Sequence, residues 1–232
     1  MAYDITITLI DDQMYVEPAL HMLQQYSCFA FDLEGVNLGR HGQITMLQIA
    51  SAPTHVYCFD VLKLGPTLFV LIKSFLEDAT KIKLCYDARC DADALYHSHG
   101  ICLRGIMDIQ VMYTVIHQHP TDPYLKGLTY TLALPGIVEP QFLQGVLACK
   151  IAGKNSMKTQ GTRIFTNRPL PLQLLRYCTL DVVYLFAMYV RWARLCDVSV
   201  VMHISAGRCA EYVNSHNSAI KKRIMSVVDF AV

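Results

Sequence analysis

Charge is scarce in this sequence. Asp, Glu, Lys and Arg make up 17% of its 232 residues, against about 25% in an ordinary globular chain, while 53% are hydrophobic. A chain this apolar does not stay disordered, and 12 Gly with 9 Pro are too few for a low-complexity or collagen-like one. Long apolar runs are also missing. The mean hydropathy is +0.29, yet every apolar stretch is broken by a charge, Pro or Gly before the roughly 18 residues that a membrane span needs. The opening MAYDITITLIDD has no basic n-region and soon turns acidic, so neither a secretory nor a transit peptide is expected there. No membrane association is expected.

The nine cysteines include no C-x-x-C pair and are odd in number. A secreted disulfide framework is more regular, so reduced thiols in an intracellular compartment are expected, cytoplasm or nucleus first and mitochondrion left open. Cys196, His203, Cys209 and His216 are spaced too widely for the usual zinc-ligand pairs and fit one helix face better. Repeats, charge blocks and Pro/Gly/Ser linkers are absent. So are Ser-His-Asp, Cys-His and phosphate-loop patterns.

What is present reads as a mixed α/β chain. Ile5–Ile10 alternates like a strand, and Glu17–Tyr26 has helical spacing after Asp11 and Asp12. Cys28–Phe31, Gln43–Ala50 and Val56–Phe59 read as three consecutive strands, with turns carrying Gly35, Gly39, Gly42 and Pro53. Helical and extended patterns then alternate: helix over Pro66–Glu77, strand over Lys81–Tyr86, helix over Asp91–His99. Further helices are expected at Asp108–His117, around Leu125–Leu134 and at Pro140–Lys150. Leu172–Leu195 carries the longest helical pattern. The order predicts a mixed sheet flanked by helices.

The acids fall in telling places. In FAFDLEG, Asp32 and Glu34 end an otherwise apolar strand and, two residues apart, share a face. Carboxylates in such a setting need a cation or a partner. Asp91 follows a strand and opens a helix, where it also reads as a capping residue. Tyr177 and Asp181, four apart, share one face of the late helix.

Together these form three ordered motifs: FDLEGVNLGRHGQITMLQIAS, KLCYDARCDADALYHSHGI followed by MDIQ, and RPLPLQLLRYCTLDVVYLF. They resemble the tyrosine-bearing branch of the DEDD 3′–5′ exonucleases, the ribonuclease D group. Within it they are most similar to the Egalitarian-like exonuclease-domain proteins of small-RNA biology. The match runs from about Ile5 to Arg194. Residues 1–195 are therefore expected to form an exonuclease domain of ribonuclease H-like α/β fold, and residues 196–232 a helical extension. One departure stands out: the second motif has Tyr86 where the family often has His, with Asp87 beside it.

The resemblance implies a metal-dependent phosphodiester hydrolase. Asp32, Glu34, Asp91 and Asp181 would hold two Mg²⁺ or Mn²⁺ ions, which can activate water and stabilise the leaving oxygen. Asp32 would bridge the ions, Glu34 would lie near the terminal 3′-hydroxyl, and Tyr177 would orient the attacking water. Gly35 and Val36 would approach the terminal nucleotide through backbone, Met46 would wedge the last bases, and Arg40 and His41 would touch phosphate or base. Core packing for Met46 and simple exposure for Arg40 and His41 are the plain alternatives.

The formal charge of +1 excludes a strongly basic nucleic-acid binder only as a sum. From Gln141 to Leu180 there is no Asp or Glu, against Lys150, Lys154, Lys158, Arg163, Arg168 and Arg176. The middle of this window, KIAGKNSMKTQGTRIFTNRPL, reads as a loop. Lys154, Lys158 and Arg163 are its candidates for tracking phosphate. The expected activity is 3′–5′ hydrolysis of single-stranded RNA ends to nucleoside 5′-monophosphates, in trimming or turnover of small non-coding RNA. An RNA-binding adaptor with weak catalysis and a DNA-directed exonuclease are the rivals. The C-terminal segment, including Lys221–Arg223, is a candidate for protein partners or further contacts.

Overall fold

The computed structural model describes residues 5–117 and 124–215. Six strands form one sheet: β1 (Thr6–Ile10), β2 (Cys28–Val36), β3 (Gln43–Ala52), β4 (His55–Asp60), β5 (Ile82–Cys85) and β6 (Ile106–Asp108). Their spatial order is β1-β4-β3-β2-β5-β6. β2, β3 and β4 form the expected antiparallel meander, and β1, β5 and β6 pair in parallel at the flanks.

The helices are α1 (Val16–Gln24), α2 (Val61–Leu64), α3 (Thr67–Glu77), α4 (Arg89–His99), α5 (Ile109–His117), α6 (Leu128–Leu132), α7 (Pro140–Gln160), α8 (Leu172–Val182), α9 (Leu185–Trp192) and α10 (Val198–Asn214). Strand alternation decides which helix goes to which face. On β2, Phe29, Phe31 and Leu33 join a core with α1, α3 and α4. Cys28 and Ala30 face a second core built from α5, α8 and α9. Asp32 and Glu34 continue that second series, so they emerge under α8.

Four elements differ from their sequence expectation. β2 does not stop before Asp32: it runs on to Val36 with both acids inside it. Gly35 is therefore a strand residue and not a turn, and it sits at a bulge between Glu34 and Gly35. A Cβ there would lie 2.1 Å from the Gln43 carbonyl oxygen, so only glycine permits this approach. Second, the three-residue β6 lies where a helix was expected to begin at Asp108; so short a strand leaves no alternation to read. Third, the long helical pattern breaks at Val183–Tyr184, which lets α8 lie on the sheet while α9 turns against α5.

Fourth, the expected loop after Lys150 is the second half of the 21-residue α7. It ends at Gly161, whose φ of +74° suits glycine, and a 3₁₀ turn follows over Thr162–Thr166. Beyond Arg194, α10 starts at Asp197, whose carboxylate accepts the Ser199 N–H at 2.8 Å in an N-cap. It packs on α4, α5 and β6. Lys221–Arg223 and His216 lie outside the described residues.

Candidate active site

Asp32 lies opposite Gln48 and Glu34 opposite Met46 across the β2–β3 ladder. The bulge that follows Glu34 is fastened by the Thr45 hydroxyl, which donates to the Glu34 carbonyl at 3.1 Å. α8 crosses this face and brings down Asp181. Carboxylate oxygens of Asp32, Glu34 and Asp181 all lie within 4.8 Å of one another, the one such cluster of His, Cys, Asp or Glu among the described residues. The widely spaced Cys196, His203 and Cys209 form no such group.

Tyr177, one turn before Asp181, is buried between α7 and the 3₁₀ turn, with Ile164, Phe165, Leu174 and Cys178 around it. Its ring lies so close to α7 that a Cβ on Gly153 would come within 2.1 Å of it. Lys150, one turn earlier on α7 and only 1% exposed, places its Nζ 3.3 Å from the Tyr177 ring centroid. The same ammonium donates to both Asp181 carboxylate oxygens at 2.5 Å.

Asp91 is buried in the first turn of α4 and is not part of the compact trio. Ala88, not Asp91, is the N-cap position, so simple capping does not explain it. Around it stand Asp87 and Asp108. Arg89 pairs with Asp87 at 2.5 Å, and Arg208, reaching in from α10, lies 3.4 Å from Asp108 and 3.6 Å from Asp87. Tyr86 donates its hydroxyl to the Lys126 carbonyl at 2.7 Å, a structural post at the family's usual His position.

Burial pushes the Asp32, Glu34, Asp91 and Asp181 carboxyls above the usual carboxylate range. Neighbouring acids add to this: Asp181 raises Asp32 and Glu34 further, and Asp87 and Asp108 raise Asp91. The Lys150 ammonium opposes the rise at Asp32, Glu34 and Asp181. Burial also drives the Tyr177 phenol upward, which suits a proton donor or orienting group and not a base. Three converging carboxylates, each disfavoured as an anion in isolation, fit a hard divalent cation with oxygen preference.

The expected substrate contacts divide. Val36 is half-buried at the end of β2, and Gly35 is buried. His41, Lys154, Lys158 and Arg163 are exposed, and Lys154 donates to the Thr129 hydroxyl at 2.8 Å. Met46 is fully buried, the core-packing alternative, with an Arg168 N–H 3.5 Å from its sulfur. Arg40 is not an exposed turn cation. Its backbone and side chain donate to the buried Asp93, and its guanidinium also holds the Tyr212 and Val213 carbonyls at the end of α10, at 3.0 and 3.1 Å. Nor do all six cations of the acid-free window face outward: Lys150 is at the carboxylates, and Arg168 pairs with Asp60 at 2.5 Å. Lys150, Gly153 and Arg208 do not stand out as site residues in the sequence, because their partners lie tens of residues away.

The sequence profile of a family described as 3′–5′ exonuclease matches residues 7–191. The piRNA biogenesis protein EXD1 of Xenopus laevis is 30% identical over 187 residues, which are 80% of this chain and 42% of that protein. EXD1 of Mus musculus is 28% identical over 228 residues, 95% of this chain and 38% of that one. The chain thus spans about two fifths of the length of these relatives. The Trypanosoma brucei RNase D structure superposes with a TM-score of 0.80 at 23% identity, covering 99% of this chain and 81% of that one. With its ribonuclease H-like sheet, a fold it shares with RNase D, its carboxylates under α8 and this profile over most of its length, the chain belongs to the 3′–5′ exonuclease family.

Proposed function

We propose that the chain is a divalent-metal-dependent 3′–5′ exoribonuclease that shortens single-stranded RNA and releases nucleoside 5′-monophosphates. The observation that carries this is the Asp32–Glu34–Asp181 trio, mutually within 4.8 Å and roofed by the helix that also bears Tyr177. RNA, more than DNA, is supported by the EXD1 relatives, described as piRNA biogenesis proteins, and by a T. brucei RNase D structure described as a complex with RNA U12. Trimming or turnover of small non-coding RNA is the process this suggests.

Asp32, Glu34 and Asp181 would hold a Mg²⁺ or Mn²⁺ ion. In the two-ion arrangement that the family implies, Asp32 would serve both ions, and Asp91 and Asp181 would complete the two sets of ligands. A bound ion supplies charge neutralisation at the phosphate and a more acidic water. The protein does the rest. The Tyr177 hydroxyl orients the attacking water beside the trio, and Gly35 brings backbone close to the terminal nucleotide. Lys154, Lys158 and Arg163 line the approach for phosphates. No helix among the described residues is long and apolar enough to cross a membrane.

Incubation of 5′-labelled single-stranded RNA with Mg²⁺ or Mn²⁺ tests this: a ladder of 3′-shortened products is expected. Asp32→Asn and Asp181→Asn should abolish the ladder and leave metal-free RNA binding nearly intact. No shortening with either ion would favour an RNA-binding adaptor, and faster loss of a matched DNA strand would move the substrate to DNA.

A further inference from the structure

Gln48 shares the face of the sheet that carries the carboxylates without belonging to their cluster. It lies in the middle of β3, directly opposite Asp32 on β2 and opposite Cys58 on β4. Register partners share a face, so the Gln48 side chain points under α8 with Asp32. Two residues to either side on β3 are the apolar Met46 and Ala50, both of the second core. The Thr179 hydroxyl of α8 is the hydrogen-bond partner of the Cys58 thiol. Gln48 is fully buried, and neither its carboxamide oxygen nor its nitrogen has a hydrogen-bond partner among the described residues. Gln110, the other buried glutamine among them, donates to the Lys126 carbonyl at 3.1 Å. An unpaired amide in apolar surroundings costs stability, and a methionine of similar shape would fill the space without that cost. Packing alone therefore does not account for a glutamine here.

We propose that Gln48 is a positioning residue of the metal centre, whose amide N–H donates to the Asp32 carboxylate and fixes its plane when that carboxylate holds a divalent ion. The inference rests on the reading of the centre as a metal-dependent nuclease site. Directly opposed strand residues have Cβ atoms about 4.5–5.5 Å apart, a span that the longer glutamine side chain covers. The other acids beside Gln48, Glu34 and Asp60, lie on diagonals and are further away, and Asp60 is already paired to Arg168 at 2.5 Å. Glutamine suits this role because its nitrogen donates without carrying charge. A lysine or arginine there would compete with the ion, and a further carboxylate would repel Asp32. Groups that hold a ligand carboxylate from behind are costly to remove, typically by roughly 10–100-fold in metal affinity or activity.

The test sets metal affinity against metal-free stability in the full chain. Mn²⁺ is titrated calorimetrically into wild type, Gln48→Met and Gln48→Leu, and each is melted without metal. Both variants should melt at the wild-type temperature or up to about 4 °C above it, because the unpaired amide is gone. Their Mn²⁺ dissociation constants should nevertheless rise at least about tenfold. A glutamine that merely holds the sheet gives the opposite pattern, lower melting with unchanged affinity. Lower melting in both variants would overturn the inference, and so would wild-type Mn²⁺ affinity in either folded variant. RNA shortening measured alongside separates the two readings. A wild type that binds Mn²⁺ and shortens RNA, with variants that bind Mn²⁺ equally well, sinks only the role of Gln48. A wild type that neither binds Mn²⁺ nor shortens RNA sinks the metal centre, and the role of Gln48 with it.

Discussion

Tyr177 is fixed on two sides, by the Lys150 ammonium and by the bare backbone of Gly153. Tyr177→Phe removes a hydroxyl and leaves the packing of the ring intact, so cleavage should fall about 10²-fold with Mn²⁺ affinity and melting temperature unchanged. Gly153→Ala drives a Cβ toward the ring at 2.1 Å. It should destabilise the chain by roughly 1–3 kcal/mol as α7 and the ring move apart, and impair cleavage as well. Equal melting of Gly153→Ala and wild type would show that helix and ring approach each other less tightly. At this scale the sequence is most legible where residues are close in the chain. FDLEG and YCTLD carry their face relationships in their own spacing, and the structure sets those carboxylates together. The Lys150–Asp181 pair spans 31 positions, which no periodicity reports. Arg40 reads as a free turn cation for the same reason, since its acceptors are Asp93 and the far end of α10.

α7 shows what pattern reading loses over a whole element. Its second half contains Gly153, Asn155 and Ser156, all weak helix formers, and no Asp or Glu to set off a polar face, so it reads as a loop. Packing decides otherwise: Lys150 and Gly153 lock that half to α8, and tertiary contacts outweigh propensity. Helical geometry then gives the cations an order that a loop would not. Lys150, Lys154 and Lys158 recur every four residues along one side, running from the carboxylates outward to solvent. Lys154→Glu with Lys158→Glu should weaken RNA binding and flatten its log–log salt dependence by about 0.7 for each phosphate no longer neutralised. Unchanged affinity and slope would leave this face without an RNA role. β2 is the opposite case: its apolar run is visible in the sequence but its length is not, because the acids that look like its end are held inside the sheet by pairing to Met46 and Gln48.

For the molecule as a whole, the sheet order follows from the meander and the parallel crossovers that strand and helix patterns announce, and only the three-residue β6 escapes them. The global consequence of the centre is a dependence of stability on metal and pH. Asp32 and Glu34 bind protons more tightly folded than unfolded, since burial raises both. Their contribution to metal-free stability is present below the unfolded values near about 4 and is lost as pH rises through the raised folded values. A divalent ion binds the deprotonated form and displaces those protons. The rise in melting temperature on adding Mn²⁺ should therefore be larger at pH 8 than at pH 6, and the reverse order would argue against these carboxylates as its ligands.

Arg40 and Arg208 give the molecule a direction in time. Arg40 follows the first motif but its acceptors include the last turn of α10, and Arg208 comes from α10 to reach the acids beside Asp91. During synthesis the first carboxylates leave the ribosome far ahead of Lys150, Asp181 and Arg208. A nascent chain therefore lacks Lys150 near its first carboxylates until α7 arrives and Arg208 at Asp87 and Asp108 until α10 arrives, and the centre is completed only when nearly the whole described chain is free to close on it.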